Sequence, residues 1–327
     1  AVQADQACSL SKSGLPLNKV AEALGLTPEA IVDLVATKTQ QSKAIVKMVF
    51  NSMENGLSID EMPKYIDREA LKIFAEEAKP SAVEMEQPSQ HIYSYKNLTG
   101  ELHITNVATG LTSLHTLTNH TFEEGSVWCE LPGGDIYFTG GWLSNEVVSI
   151  SVSSLQVTRK SPMLSARRCH GAAYHCNNLY AIGGLCRNVV SECERMIVSE
   201  NRWEALPPLP QGCFYVSVVV IAQTQNLYAI GGYTDYIQRL SLVRLEWDFM
   251  PLRLPCPAFY IPCFKQDEMK VGLVIAAKLY TFNVEDESIS FIKKVDEMKS
   301  ECGQTYYNQG YLYCSTYQGA AGRLRVG

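Results

Sequence analysis

The densest group of side chains that could bind a metal lies near the middle of the chain. It consists of Cys169, His170, His175 and Cys176. Thiolate and imidazole groups are the usual protein ligands of zinc. However, side chains alternate between the two faces of a β-strand, so Cys169 and His175 would point to one face of an extended segment. His170 and Cys176 would then point to the other face. The spacing also matches no zinc module, so the sequence favours a structural role and predicts no metal site.

Motifs of common hydrolases and nucleotide-binding enzymes are missing from the sequence. It contains no Gly-x-Ser-x-Gly, no His-Glu-x-x-His and no phosphate-cradling Gly-x-x-x-x-Gly-Lys. Glycines occur instead as tandem pairs at the ends of β-rich segments. These observations predict a protein with no enzymatic activity and no cofactor.

Composition and charge exclude several classes of protein. The 327 residues are 46% hydrophobic and 19% charged, with a net charge of −6. Nucleic-acid binding needs clustered Lys and Arg, so the acidic balance argues against it. The longest apolar run, Val216–Ala222, is too short to cross a bilayer, so no membrane contact is expected. The eleven scattered cysteines favour a reducing compartment. Cytoplasmic localisation, with a cytoskeletal association as one form of it, is therefore expected.

The chain divides into three regions by residue pattern. Residues 1–80 show helical periodicity and a helix start signal at Thr27-Pro28-Glu29, in which Thr27 is the N-cap. Residues 81–90 are polar and contain proline, which is typical of a linker. Residues 91–327 consist of short β-branched and aromatic runs separated by turn residues, which indicates an all-β domain. We expect the N-terminal helices to serve oligomerisation or docking.

A seven-residue segment repeats along the β-rich region. Asn178–Gly184 reads Asn-Leu-Tyr-Ala-Ile-Gly-Gly and recurs letter for letter at Asn226–Gly232. Weaker copies are found at Asp135–Gly141, Val271–Ala277 and Gly310–Thr316. The first four copies start 43, 48 and 45 residues apart. Such a period is the signature of a repeat architecture.

The repeat unit resembles the kelch repeat, in which a strand ending in a glycine pair is followed by two more strands. The fullest unit is Arg167–Leu209, which also carries Trp203; Trp247 holds the equivalent place one unit later. The resemblance implies a kelch-type β-propeller, in which blades of four antiparallel strands bury their apolar faces against each other.

Counting strands predicts the number of blades. Candidates for the third strand of a blade begin near Ile92, Val147, Glu192, Ile237, Leu279 and Arg323. Only five pairs of first and second strands accompany these six. We therefore expect an all-β propeller of six blades whose closing strands would follow Gly327, so that the ring is incomplete in this sequence. The alternative is a five-bladed ring in which Cys302–Thr316 pairs with Ile92–Val107.

An enzyme built on a kelch-like propeller is the alternative from a different functional class. Galactose oxidase holds a copper ion with Tyr and His side chains drawn from several blades. This chain has seventeen tyrosines, but four of its six histidines fall together within one predicted blade, whereas that copper site draws on several. These are His91, His103, His115 and His120. The copper-oxidase interpretation is therefore less favoured.

The family resemblance also indicates where a partner would bind. Kelch domains usually bind ligands on the loops that follow the glycine pairs and on the loops that lead into inner strands. The residues at matching positions are Trp142, Arg167, Arg168, Arg187, Asn188, Phe214, Tyr215, Tyr233, Asp235 and Tyr236. Arg167 and Arg168 would form a bidentate clamp for an acidic peptide. The alternative for the aromatic residues is that they pack the rim of the propeller.

The sequence therefore predicts a scaffold or adaptor that binds protein partners, whose identity the sequence does not give, through the propeller face. A substrate receptor of a ubiquitin ligase and a cytoskeletal or ciliary structural protein are the narrower forms of this prediction.

Overall fold

The computed structural model describes residues 91–258, 260–295, 305–308, 310–314 and 322–326. These residues form six antiparallel sheets in chain order. The predicted helices in residues 1–80 and the linker at 81–90 lie outside the described residues. Among those that are described, no helix is long and apolar enough to span a membrane.

The first three sheets contain eleven strands, and within each sheet the strands that follow each other in sequence are hydrogen-bonded. The first sheet contains β1 (His91–Tyr95), β2 (Glu101–Asn106) and β3 (Thr112–Thr116). The second contains β4 (Val127–Glu130), β5 (Asp135–Gly141), β6 (Ser144–Ser151) and β7 (Val157–Arg159). The third contains β8 (Gly171–His175), β9 (Asn178–Ile182), β10 (Cys193–Ile197) and β11 (Arg202–Leu206).

The last three sheets repeat the same order. The fourth contains β12 (Val216–Ile221), β13 (Asn226–Gly231), β14 (Thr234–Ser241) and β15 (Glu246–Ala258). The fifth contains β16 (Cys263–Lys265), β17 (Lys270–Ile275), β18 (Lys278–Asn283) and β19 (Ser288–Lys294). The sixth contains β20 (Thr305–Asn308), β21 (Tyr311–Cys314) and β22 (Gly322–Arg325). Two short 3-10 turns, Val198–Glu200 and Ala222–Thr224, complete the secondary structure of the described residues.

The repeated segment forms the second strand of its sheet, as the sequence predicts. The two identical copies are β9 and β13, and the weaker copies lie on β5, β17 and β21. In the second sheet, glycine is required where the strand leaves the sheet. Gly140 has φ +68°, and a Cβ placed on it would lie 2.1 Å from the carbonyl oxygen of Arg167. Only glycine allows the backbone to turn and approach the next loop this closely.

Apolar clusters between successive sheets join them into a ring. One cluster lies between the second and third sheets and contains Leu179 and Trp203. Others join the third to the fourth, the fourth to the fifth, and the fifth to the sixth sheet. A further cluster contains side chains of the first and second sheets together with Tyr313 of the sixth. The buried hydroxyl of Tyr313 also donates a 2.9 Å hydrogen bond to the carbonyl of Val107.

The sixth sheet therefore closes against the first, and the predicted six-bladed β-propeller is confirmed. The five-bladed alternative is wrong. Among the described strands, β21 pairs with β20 and β22, whereas β1 pairs with β2.

The two tryptophans that mark equivalent places in the repeat also make equivalent contacts. The indole nitrogen of Trp203 donates to the carbonyl of Ser161, and that of Trp247 donates to the carbonyl of Pro207, both at 2.9 Å. Each acceptor lies in the connection that follows the preceding sheet. The fourth strand of one blade is thus hydrogen-bonded to the connection that follows the preceding blade.

The strand assignment in the first sheet needs a correction. The turn between third and fourth strands contains a residue with positive φ, such as Leu155 (56°), Asn201 (49°) or Leu245 (55°). Gly110 (φ 70°) is its counterpart, and its amide donates to Asn106 as that of Leu155 donates to Ser151. Positive φ also occurs in turns between first and second strands, for example at Gln225 (51°), so the chain order decides the assignment. Because β3 directly precedes β4, the first strand of the second sheet, β3 is the fourth strand of its own sheet and Glu101–Asn106 is the third. The segment starting at Ile92, which the sequence analysis made the third, is the second.

Candidate partner-binding face

One end of the ring is formed by two sets of loops. Neighbouring strands in each sheet are antiparallel, so the connection after a second strand lies at the same end as the connection into a first strand. We call this end the loop face. Its described connections are 96–100, 142–143, 183–192, 232–233 and 276–277 after second strands, and 117–126, 160–170, 207–215 and 260–262 before first strands.

Backbone hydrogen bonds link the loops of successive blades on this face. The amide of Cys169 donates to the carbonyl of Gly125 at 2.9 Å, and the amide of Tyr215 donates to Cys169 at 2.7 Å. The amide of Tyr260 then donates to Tyr215 at 3.0 Å. All four residues have positive φ, between 50° and 74°. A left-handed backbone at Cys169, Tyr215 and Tyr260 is unusual for residues with a side chain, and it turns each loop towards the previous one.

This repeated geometry places four aromatic rings in a row. Tyr233 stacks on Phe214, with ring centroids 4.9 Å apart, and Phe214 lies 5.0 Å from Tyr215. Tyr215 in turn lies 4.1 Å from Tyr260. We call Tyr233, Phe214, Tyr215 and Tyr260 the aromatic row. Tyr233 is 55% exposed and forms the outer end of the row.

Tyr260 is a member of the row that the sequence analysis missed. It lies one repeat length after Tyr215, so the spacing of the repeat could have found it. The signal was weak because the segment around it lacks the residues that mark the better copies. The other three members of the row were predicted to lie on this face.

Arg168 is held in place by one ring and one acid. Its guanidinium lies 3.9 Å from the centre of the Trp142 ring and makes a 2.6 Å ion pair with Glu124. The Arg168 side chain is 15% exposed, whereas Trp142 is 52% exposed. Trp142 therefore offers a fixed apolar surface next to a cation whose charge is already balanced.

Arg167 does not belong to the surface, so the predicted two-arginine clamp is wrong. Arg167 is fully buried and makes a 2.6 Å ion pair with Glu194. It also donates to the carbonyls of Gly183 and Glu192 at 2.9 and 2.5 Å. Glu194 accepts a further bond from the amide of Leu164 at 2.6 Å. This ion pair fixes the loop that carries Arg168, and its burial keeps it out of reach of a partner.

Asp235 and Tyr236 lie on β14, next to the loop that contains Tyr233, rather than in the loop itself. Asp235 makes a 3.0 Å ion pair with Arg253, whose guanidinium lies 3.6 Å from the Tyr236 ring centre. This arrangement repeats that of Arg168: one arginine, one acid and one ring. Arg187 and Asn188 lie at the exposed tip of connection 183–192, where the Cys186 amide donates to the carbonyl of Asn188 at 3.0 Å.

The candidate metal ligands are separated by the length of a strand. Cys169 and His170 precede β8, and His175 and Cys176 lie at its other end. His170 is buried, with its Nε2 atom 2.8 Å from the hydroxyl of Thr139. Burial, together with the charge of Arg167, holds the pKa of His170 well below its usual range. Within the described part of the chain, no three His, Cys, Asp or Glu residues are arranged to hold a metal ion.

A known family model matches one repeat of the chain. The family model of the kelch motif matches residues 166–210, which contain the whole third sheet and the adjoining parts of the connections on both sides of it. No curated protein sequence matches the chain.

Proposed function

We propose that the chain, a six-bladed β-propeller whose residues 166–210 match the kelch motif, is a non-enzymatic scaffold or adaptor that binds protein partners through the loop face. The observation that carries the proposal is the aromatic row together with Trp142. Tyr, Trp and Arg are the residue types that contribute most to the affinity of protein interfaces. We also propose that the protein acts in the cytoplasm.

The loop face is suited to binding because its exposed rings are already fixed. Ordering a side chain on binding costs about 0.5–1.5 kcal/mol. Tyr233 is held against Phe214, and Trp142 is held against Arg168, before any partner arrives. Both nevertheless remain about half exposed. A partner would therefore gain apolar contact area at a small entropic cost.

Further exposed apolar side chains lie on the same face. Leu143 and Val189 follow the second strands of the second and third sheets, and Leu98 occupies the equivalent connection of the first sheet. Exposed apolar residues that cluster on one surface mark interaction sites more often than isolated ones do. They extend the surface beyond the aromatic row.

The test is crosslinking mass spectrometry on native extract with the full chain and two variants. Trp142→Ala removes one exposed ring. Tyr233→Asn removes the other while keeping a residue that tolerates its left-handed backbone, φ 68°. The matched control is Val243→Ser, because Val243 is 53% exposed in a turn at the opposite end of the ring.

We expect partners that crosslink to the wild type and to Val243→Ser, and whose yield falls at least about ten-fold with either ring variant, the size of a hot-spot loss. Partners that are retained equally by all variants, or that are lost only with Val243→Ser, would place binding elsewhere and reject the proposal.

A further inference from the structure

The indole of Trp142 has one covered face and one open face. The guanidinium of Arg168 covers the first face and lies 3.9 Å from the ring centre. Trp142 nevertheless keeps 52% of its surface exposed, so the exposed part is the opposite face together with the ring edge. An aromatic face that is open to solvent on a rigid support can stack a further group without first being ordered.

Backbone hydrogen bonds fix the chain segments around this indole before a partner binds. The amide of Gly141, the residue before the indole, donates to the carbonyl of Arg167 at 2.9 Å. The amide of Cys169 donates to the carbonyl of Gly125, also at 2.9 Å. A Cβ placed on Gly141 would lie 2.2 Å from the Cβ of Glu123, so Glu123 lies directly beside the segment that carries the indole.

The charge beside the open face is negative. Glu124 makes a 2.6 Å ion pair with Arg168 through its Oε1 atom, and the Glu124 side chain is 53% exposed. Among the described residues, no donor bonds to the Oε2 atom of Glu124, and no cation pairs with the Glu123 carboxylate. Two carboxylates beside one guanidinium leave one negative charge uncompensated. The exposed cation Arg187 belongs to a connection of the next blade.

This charge disfavours two kinds of partner group over the indole. An acidic side chain would face Glu123 and Glu124, and like charges in contact are strongly unfavourable in an interface. A neutral ring would cover Trp142, but it would also cover carboxylates without giving them a donor, which costs free energy. A cation gains from the ring face and from the acids together.

We propose that the open face of Trp142 binds an arginine side chain of the protein partner, whose guanidinium stacks on the indole and pairs with the Oε2 atom of Glu124. This inference rests on the proposed function and names the chemistry of the partner. Arginine fits better than lysine because a guanidinium is planar, is weakly hydrated and stacks on aromatic faces. Tryptophan is also the ring that attracts cations best.

The chain itself contains the contact that the partner would repeat. Arg168 combines a ring, Trp142, with an acid, Glu124. Arg253 does the same on the fourth sheet, where it lies 3.6 Å from the centre of the Tyr236 ring and 3.0 Å from the Asp235 carboxylate. A partner arginine on the open face would give Trp142 a second guanidinium and would use the carboxylate oxygen that Arg168 leaves unpaired.

The first experiment is a selection from a displayed library of random peptides, with the full chain as the bait. We expect the enriched peptides to contain arginine. Each arginine is then replaced by glutamine or by lysine, and affinity for the wild-type chain is measured. Replacement of one arginine by glutamine should lower the affinity at least about ten-fold, the loss expected for a hydrogen bond to a charged group. Lysine should restore only part of the affinity, because it lacks the planar group.

The second experiment measures the same peptides against three variants of the chain. Trp142→Ala removes the indole, and Glu123→Gln removes a carboxylate without breaking the ion pair of Arg168. The matched control is Glu246→Gln, because the Glu246 side chain is 72% exposed and follows a turn at the opposite end of the propeller. We expect a loss of at least about ten-fold with Trp142→Ala, a smaller loss with Glu123→Gln and no change with Glu246→Gln.

Three results of these measurements would overturn the inference and leave the proposed function in place. The first is a set of peptides that depend on Trp142 but bind equally well without arginine. The second is an equal loss with Glu123→Gln and Glu246→Gln, which would mean that the peptides respond to the overall charge of the chain. The third is a selection in which no peptide depends on Trp142.

Sedimentation of the chain alone tests the other occupant of the open face, a second copy of this chain. Self-association that Trp142→Ala abolishes would assign the indole to a contact between copies and would overturn the inference. We expect Trp142→Ala to leave the sedimentation unchanged. The crosslinking comparison decides the proposed function separately, because it measures binding at the loop face whatever the charge of the partner.

Discussion

Arg167 and Arg168 are adjacent in the sequence but differ completely in environment. Arg167 is buried in an ion pair with Glu194, and Arg168 lies beneath the exposed ring of Trp142. The backbone explains the difference: in the segment leading to β8, successive side chains point in opposite directions, one between blades and one towards the loop face. The buried ion pair therefore supports the loop that carries Arg168. A substitution of Arg167 tests stability rather than binding.

At the residue scale, we predict that Arg167→Met lowers the free energy of unfolding by about 3–5 kcal/mol, because it leaves Glu194 charged and buried without its partner. Urea denaturation of the full chain measures the loss. The matched control is Arg159→Met, which removes an exposed 2.8 Å ion pair with Glu146. That change should cost no more than about 1 kcal/mol. Equal losses in the two variants would show that the buried pair does not hold the loop.

The glycine pair is the element that ends the second strand of the best repeats. In the second sheet, Gly140 lies against the backbone of Arg167, and the amide of Gly141 donates to the carbonyl of Arg167 at 2.9 Å. The fifth sheet has Ala276 and Ala277 at this place, and both have positive φ (48° and 56°). The turn can therefore form without glycine, at a cost in strain, wherever the neighbouring chain leaves room for a Cβ.

At the element scale, we predict that Gly140→Ala destabilises the protein more than Gly133→Ala does. Both glycines have positive φ, so both variants carry backbone strain of about 1–3 kcal/mol. A Cβ on Gly133 meets no atom within 4 Å, whereas one on Gly140 lies 2.1 Å from the Arg167 carbonyl. The additional loss for Gly140→Ala should be at least about 1 kcal/mol, the usual cost of overpacking.

Chemical denaturation of the two variants side by side gives the comparison. Equal destabilisation would mean that backbone strain, rather than the close approach of the loop, explains the glycine pair.

The whole ring depends on the seam between its first and sixth sheets. Among the described residues these sheets have three strands each, whereas the other four sheets have four. Their contact buries Tyr313 in an apolar cluster with side chains of the first and second sheets, and Tyr306 and Tyr311 pack beside it. Each blade stabilises only its neighbours, so a weak seam lowers the stability of the closed ring.

At the scale of the molecule, we predict that Tyr313→Phe destabilises the protein by about 1–3 kcal/mol, because the buried carbonyl of Val107 loses its donor. Tyr307→Phe is the matched control: Tyr307 lies on the same sheet but is 37% exposed, and its loss should stay within about 0.5 kcal/mol. Thermal unfolding of both variants provides the measurement. Equal midpoints for wild type and Tyr313→Phe would contradict closure through this contact.

Although the sequence left a choice between five and six blades, it alone determined the repeating unit, the second strands that end in Gly184 and Gly232, and the equivalent places of Trp203 and Trp247. These features are local: strand alternation, turn residues and spacing are encoded within one repeat of the chain. The binding role of the loop face stays a prediction of the sequence, since the fold places these loops together without showing a partner.

Only the tertiary structure decided that Arg167 is buried, that Tyr260 completes the aromatic row and that the first sheet begins with a second strand. The first two facts depend on contacts between segments far apart in the chain, Arg167 with Glu194 and Tyr260 with Tyr215, and the third follows from the order of the strands in the sheets. The exposure of a side chain is set by the neighbouring blade, and a pattern within a single repeat does not contain that information.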